Sequence, residues 1–233
     1  MELSQPYPGV YKLGIDGREH LATLNLAPGI SVYGERRIII DGDEYRVWNP
    51  YRNKLAAALL KGLSEMPIRP GCRVLYLGTA TGTNCSHVSD IVGFEGHVWG
   101  VDIAPRPMRD FLERVARHRS NVSPILGDAR RPEAYSPLIP LVDVIYADVA
   151  QPDQASIVIR NARLFLKPGG WALMAIKSRS IDVTRPPGEV YEEQIGELKA
   201  SGFEVLEVVE LEPYERDHAM ALARFSPEGG VYA

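Results

Sequence analysis

Apolar positions fall along this chain in two rhythms, and the rhythm changes near residue 50. From residue 8 to 49 short β-prone runs (GVYKLGI, HLATLNL, ISVYGERRIII and EYRVWN) alternate with polar turns such as Asp41-Gly42-Asp43. That alternation predicts a small antiparallel β unit over residues 1–50. Beyond Pro50, NKLAAALLKGL has helical periodicity and good helix formers, and it stops near Gly62. The segments that follow, CRVLYLG, HVWGVDI, VSPILGD, VDVIYADV, GGWALMAIK and FEVLEVVEL, are apolar runs without polar alternation, separated by helical stretches. Strands of that kind are covered on both faces, so residues 51–233 are expected to form an α/β domain with a Rossmann-like, mostly parallel sheet. A seventh run, HAMALARF, follows after an acidic break too short for a helical crossover. It should therefore pair antiparallel with its predecessor, which starts His218 at the edge where the parallel strands end.

Composition narrows the class. With 233 residues, 45% hydrophobic and 24% charged, the chain reads as an ordinary globular protein with one sizeable core and an appendage. It contains no apolar stretch long enough to span a membrane, and MELSQPYPGVYKLG lacks the regions of a signal peptide, so a soluble cytoplasmic protein is expected. Cys72 and Cys85 have neither CxxC nor zinc spacing and read as reduced packing residues.

Charge adds a constraint on partners. A formal net charge of −4 argues against gripping nucleic acid by bulk charge alone. The distribution is uneven: seven arginines against three acids between Pro105 and Arg131, and six acids against one arginine between Glu204 and Asp217. From composition the arginine stretch reads as a solvated helix face. Any nucleic-acid binding would then need a partner to supply most of the affinity.

The candidate chemistry starts at LYLGTATGTN. Ligands of open parallel sheets bind beyond the carboxyl ends of the strands, and Gly78 with Gly82 permits a tight turn and close backbone approach there. Position 80 is Ala, which breaks the dinucleotide fingerprint, and no GK[ST] ending makes it a P-loop. Asp102 closes the next strand, where a carboxylate can accept both hydroxyls of a ribose, and Asp128 ends the one after. Thr83 and Asn84 open the following helix and offer backbone donors to a carboxylate. Gln151 suits either cofactor binding or a helix cap. His87 and His97 read as structural, having no metal set around them.

The stretches WNPYRNKLAAALLKG, VLYLGTATGTNCSHVSDIVG, ILGDARRPEAY, DVIYADVAQPDQA and MAIKSRSID resemble the fibrillarin family, within the class I S-adenosylmethionine methyltransferases. The resemblance runs over nearly the whole chain. It implies the class I methyltransferase fold and guide-RNA-directed transfer of a methyl group to ribose 2′-hydroxyls of rRNA or tRNA. It also implies a cofactor site of Gly78, Ala80, Gly82, Thr83, Asn84, Asp102, Ile103, Asp128, Ala129, Asp148 and Gln151. The resemblance further points to a catalytic set of Lys54, Asp148, Lys177 and His218. The implied partners are a C/D box guide RNA, a Nop-family scaffold protein and a kink-turn-binding ribosomal-type protein. TATGTN departs from the family's Ala-Ser-Gly-Thr-Thr, and Asp102 stands where Glu is common. The chain shows no Gly/Arg-rich tail, as expected of the archaeal form.

A carboxylate beside Lys177 favours its charged form, so its expected role is to orient the acceptor hydroxyl and stabilise developing alkoxide character. The cofactor motifs alone leave three other readings open. These are methyl transfer to another acceptor such as a protein glutamine, a nicotinamide-dependent oxidoreductase, and a non-catalytic scaffold. The absence of a stacking RNA-reading module of the RGFGFV kind favours a protein that borrows its specificity from base pairing.

Overall fold

The structure, a computed structural model, describes residues 3–226. Five strands form the first sheet: β1 (Leu3–Tyr7), β2 (Val10–Ile15), β3 (Arg18–Leu24), β4 (Arg37–Ile40) and β5 (Asp43–Val47), in the order β1-β2-β3-β5-β4 with every neighbour antiparallel. The strand expected over ISVYGERRIII is confined to Arg37–Ile40. Upstream of it the Glu35 carboxylate accepts the N–H groups of Val32 and Tyr33 at 2.8–3.1 Å and pulls the backbone into a turn. Side-chain capping of that kind competes with ladder pairing.

The rest of the chain alternates helix and strand. A 3-10 turn at Pro50–Arg52 leads into α1 (Lys54–Leu60), then β6 (Arg73–Leu77), α2 (Thr83–Val92), β7 (His97–Asp102), α3 (Pro105–Arg114) and β8 (Val122–Leu126). Next come β9 (Val142–Ala147), α4 (Gln154–Phe165), β10 (Leu166–Lys177), the single turn α5 (Ser178–Ile181), α6 (Pro187–Ala200), β11 (Phe203–Glu210) and β12 (His218–Phe225). The seven strands lie in the order β11-β12-β10-β9-β6-β7-β8. β12 runs antiparallel to both neighbours, with Lys177 and His218 as register partners. One core layer packs Leu55, Val88 and Met108 of α1, α2 and α3 on one face; the other packs Ile157 and Leu198 of α4 and α6 on the opposite face. The chain runs β6, β7, β8 outward and then returns to the other side of β6, so the switch point falls between β6 and β9.

A buried charged cluster ties the first sheet to α2 and to the segment before β8. Arg46, fully buried on β5, donates to Glu35 at 2.6 Å, to Asp90 of α2 at 2.7 Å and to Ser86 at 2.8 Å. Arg119 reaches the other oxygen of Asp90 at 2.9 Å and Asn25 at 3.0 Å. Arg119 thus departs from the solvated reading of the arginine stretch: it is 2% exposed and bonds Asn25 and Asp90, while Arg106, Arg109, Arg114 and Arg117 do lie exposed. His87 is buried between Thr23 and Tyr33 and stacks on Trp48. Burial, then the charges of Arg46 and Arg119, keep its ring neutral.

Candidate active site

β6 ends at Leu77 and the chain turns at once. Gly78 takes φ +82°, and a Cβ there would meet the Asp148 carbonyl at 2.7 Å, so only glycine lets the two strand ends approach this closely. Ala80 adopts φ 48°, a left-handed conformation uncommon for a residue with a side chain. The Asp102 carboxylate holds it there, accepting Ala80 N–H at 2.7 Å with one oxygen and Ala104 N–H at 2.9 Å with the other. Gly82 precedes α2, whose first turn has no side-chain cap, leaving the Thr83 and Asn84 N–H groups directed out of the helix end. The Asn84 side chain points inward instead: it donates to the Tyr76 hydroxyl at 3.0 Å and accepts from Trp48 Nε1 at 3.3 Å.

A cavity of about 220 Å³ opens at this rim, bounded by Gly78, Ala80, Asp102, Ile103, Asp128, Ala129, Asp148, Gln151 and Lys177. Ile103 is 53% exposed, an apolar side chain presented at the cavity edge. Asp128 follows β8 and caps its own turn by accepting Arg130 N–H at 2.9 Å. Gln151 accepts from Arg130 Nη2 at 2.6 Å, while the residue at the head of α4 is Asp153. Gln151 therefore lies on the Asp128 side of the cavity and does not cap the helix.

Three of the four residues in the expected catalytic set meet directly. Lys177, at the end of β10, donates to the Asp148 carbonyl at 2.8 Å and stands 2.7 Å from its Oδ1. Lys54, at the first position of α1, lies 3.3 Å from the same oxygen. All three side chains are only 15–16% exposed, so these charges interact more strongly than surface pairs do. His218 sits across the ladder from Lys177, but its Nδ1 is bound to the Arg216 carbonyl at 2.6 Å. A carbonyl only accepts, so Nδ1 carries a proton, and Nε2 is the ring nitrogen that this bond leaves unengaged. Beneath them Tyr146 is buried with its hydroxyl unpartnered; burial, and then the Asp148 carboxylate, push this phenol far up and keep it neutral.

Two residues escaped the sequence reading. Gln154, fully buried, brackets the Lys177 backbone, accepting its N–H at 3.0 Å and donating to its C=O at 3.3 Å. It lies within the DVAQPDQ stretch that drew attention to Gln151. Glu215, 3.9 Å from Lys54, lay hidden in an acidic run that looks solvated.

A parallel sheet closed by one reversed strand, with a glycine turn and acidic strand ends at its switch point, defines a class I methyltransferase fold. The family profile for fibrillarin matches residues 1–227, and the chain belongs to the fibrillarin family. A curated relative from Aeropyrum pernix, a fibrillarin-like rRNA/tRNA 2′-O-methyltransferase, is 58% identical over 216 residues, covering 92% of each chain. The solved A. pernix fibrillarin with natively bound S-adenosyl-L-methionine is 56% identical, with a TM-score of 0.89 over 96% of this chain and 98% of that one. A fibrillarin/Nop5p complex matches at 40% identity and a TM-score of 0.82, over 92% of this chain and 97% of that one.

Proposed function

We propose that this protein transfers a methyl group from S-adenosylmethionine to ribose 2′-hydroxyls of rRNA and tRNA, as the catalytic subunit of a C/D box ribonucleoprotein. Identity of 58% across nine-tenths of both chains with a named ribose methyltransferase carries the reading. In this reading residues 51–233 are the methyltransferase domain that holds the chemistry, and residues 1–50 are the accessory β unit. The partners are a guide RNA, a Nop-family protein and a kink-turn-binding protein. No helix among the described residues is long and apolar enough to cross a membrane, and the proposed setting is the cytoplasm.

The residues at the rim fit the cofactor. The Thr79 hydroxyl is buried in the turn without a hydrogen-bond partner among the described residues, and the cavity is edged by the Asp102 and Asp128 strand ends. Asp102 would take the ribose hydroxyls with the lone pairs its two backbone donors leave free, Ile103 and Ala129 would flank the adenine, and the open N–H groups of α2 would take the carboxylate. When bound, S-adenosylmethionine supplies an electrophilic methyl group on a cationic sulfur. Asp102→Asn keeps the shape and removes the charge. It is expected to weaken cofactor binding by about 10- to 100-fold in calorimetry, the worth of hydrogen bonds to a charged group.

The protein's part in the transfer is alignment. Lys177, fixed by Asp148 through its ammonium and by Gln154 through its backbone, holds the acceptor hydroxyl in line and stabilises negative charge as it develops on the oxygen. The oxygen–carbon bond forms as the carbon–sulfur bond breaks, and the proton leaves late to solvent or to His218 Nε2. Positioning of this kind contributes about 7–11 kcal/mol.

The test compares a target oligonucleotide with a copy carrying one 2′-deoxy sugar at the guided position, using tritiated cofactor and the reconstituted complex. Guide-dependent label on the ribose target alone is expected. Equal label on both oligonucleotides would place the acceptor elsewhere.

A further inference from the structure

The connection between β11 and β12 is built rather than slack. Leu211 is fully buried, and its carbonyl accepts the N–H groups of Tyr214 and Glu215 at 2.9 and 3.2 Å, folding residues 211–215 into a compact turn at the rim. That turn meets the chain at two points, in the 3-10 turn before α1 and at the first residue of α1. The ring of Tyr214 packs edge-on against Tyr51 with centroids 5.2 Å apart, and Tyr51 lies three residues before Lys54. The Glu215 carboxylate, 26% exposed, lies 3.9 Å from the Lys54 ammonium.

The charges explain why an acid belongs there. Asp148 faces two ammonium groups, one at 2.7 Å and one at 3.3 Å, with a single carboxylate between them. Lys54 and Lys177 against Asp148 alone leave an excess positive charge where a cationic sulfur must also bind. A second carboxylate on the far side of Lys54 brings the four groups to two positive and two negative. It also gives Lys54 a second anchor, so that Asp148 Oδ1 stays closer to Lys177. Two of the other acids of the stretch are engaged elsewhere, Asp217 with Arg179 and Glu207 with Ser64.

We infer that Glu215 is a positioning residue of the transfer reaction, acting through Lys54 to hold Asp148 on Lys177. The inference rests on the reading of Lys54, Asp148 and Lys177 given above. Its mark is coupling: removing the Glu215 charge should matter only while Lys54 is present to respond to it.

The experiment is a double-mutant cycle of Glu215→Gln and Lys54→Gln in the assembled complex, read as single-turnover methylation at saturating cofactor. Glu215→Gln is expected to slow the rate about tenfold, in the range for residues sharing one ion-pair network. In the Lys54→Gln background the same change should cost less than about twofold, since its target is gone. An unaltered rate in Glu215→Gln beside a slowed Lys54→Gln would overturn the inference and leave the Lys54 reading intact. The same loss in both backgrounds would also overturn it, because a merely structural role acts regardless of Lys54. An unaltered rate in Lys54→Gln would remove both.

Discussion

Lys177→Ala is expected to slow single-turnover methylation by at least about 10²-fold, the floor for a positioned catalytic group. The native ammonium is held at 2.8 Å by the Asp148 carbonyl and at 2.7 Å by its carboxylate, with 15% of the side chain exposed. Nothing else at the rim could replace it: Lys54 is tethered between Asp148 and Glu215, and His218 starts the strand opposite. Lys177→Arg should recover little, since a planar guanidinium cannot stand as a point charge between a carbonyl and a carboxylate. Single-turnover conditions at saturating cofactor isolate the transfer from binding and release. Loss of tenfold or less would remove Lys177 from the reaction and leave alignment to the cofactor site alone.

The second large effect lies far from the rim. Arg46→Met is expected to destabilise the fold by about 3–5 kcal/mol, because it leaves Glu35 and Asp90 buried without their shared cation. For a chain of this size that corresponds to a fall in Tm of about 6–20 °C by calorimetry. The pH dependence carries a matching signature. Burial pushes Glu35 up, but the Arg46 guanidinium and the amides of Tyr33 and Val32 outweigh it and bring its carboxyl from 4.5 down to about 2. A carboxyl lowered on folding stabilises the native state above its unfolded value, and that contribution is lost as the pH falls from 4.5 towards about 2. Without Arg46 the burial effect stands less opposed, so the gap in stability between wild type and variant should narrow on acidification. A variant melting within about 3 °C of wild type would make the buried pair dispensable.

What could be read in the sequence, and what could not, follows the reach of each interaction. The parallel strands were legible because burial on both faces strips them of polar alternation, as in VLYLG and VDVIYADV. The reversal of β12 was legible too, since seven residues cannot hold a crossover helix. β1 was not, for LSQPY is exposed along most of its length, carries a proline and pairs on one side only. The ISVYGERRIII run has strand-forming residues, but a three-residue side-chain bond from Glu35 decides its shape. The Arg46–Asp90 and Arg119–Asn25 contacts join residues 44 and 94 positions apart, and a lone charge in sequence looks solvated whether or not a partner waits for it. At the site, the glycine turn and the strand-end Asp102 and Asp128 stood out by position, while Lys177, which by position alone looks solvated, was singled out by the family resemblance. Gln154 and Glu215 did not, because each acts by touching a lysine that the fold alone brings near.

The place of β12 has a consequence for how the molecule is made. Though last in sequence among the described strands, it is inserted between β10 and β11 and is not added at the margin. A chain emerging from the ribosome can lay down β6 to β9 in order, but until residues 218–225 follow, the twelve residues of β10 lack a partner on one side and β11 has no neighbour at all. An unpaired apolar strand edge invites pairing with another chain. The sheet is thus most exposed to self-association until residues 218–225 have been made, and the same stretch that seals it brings His218 to the rim.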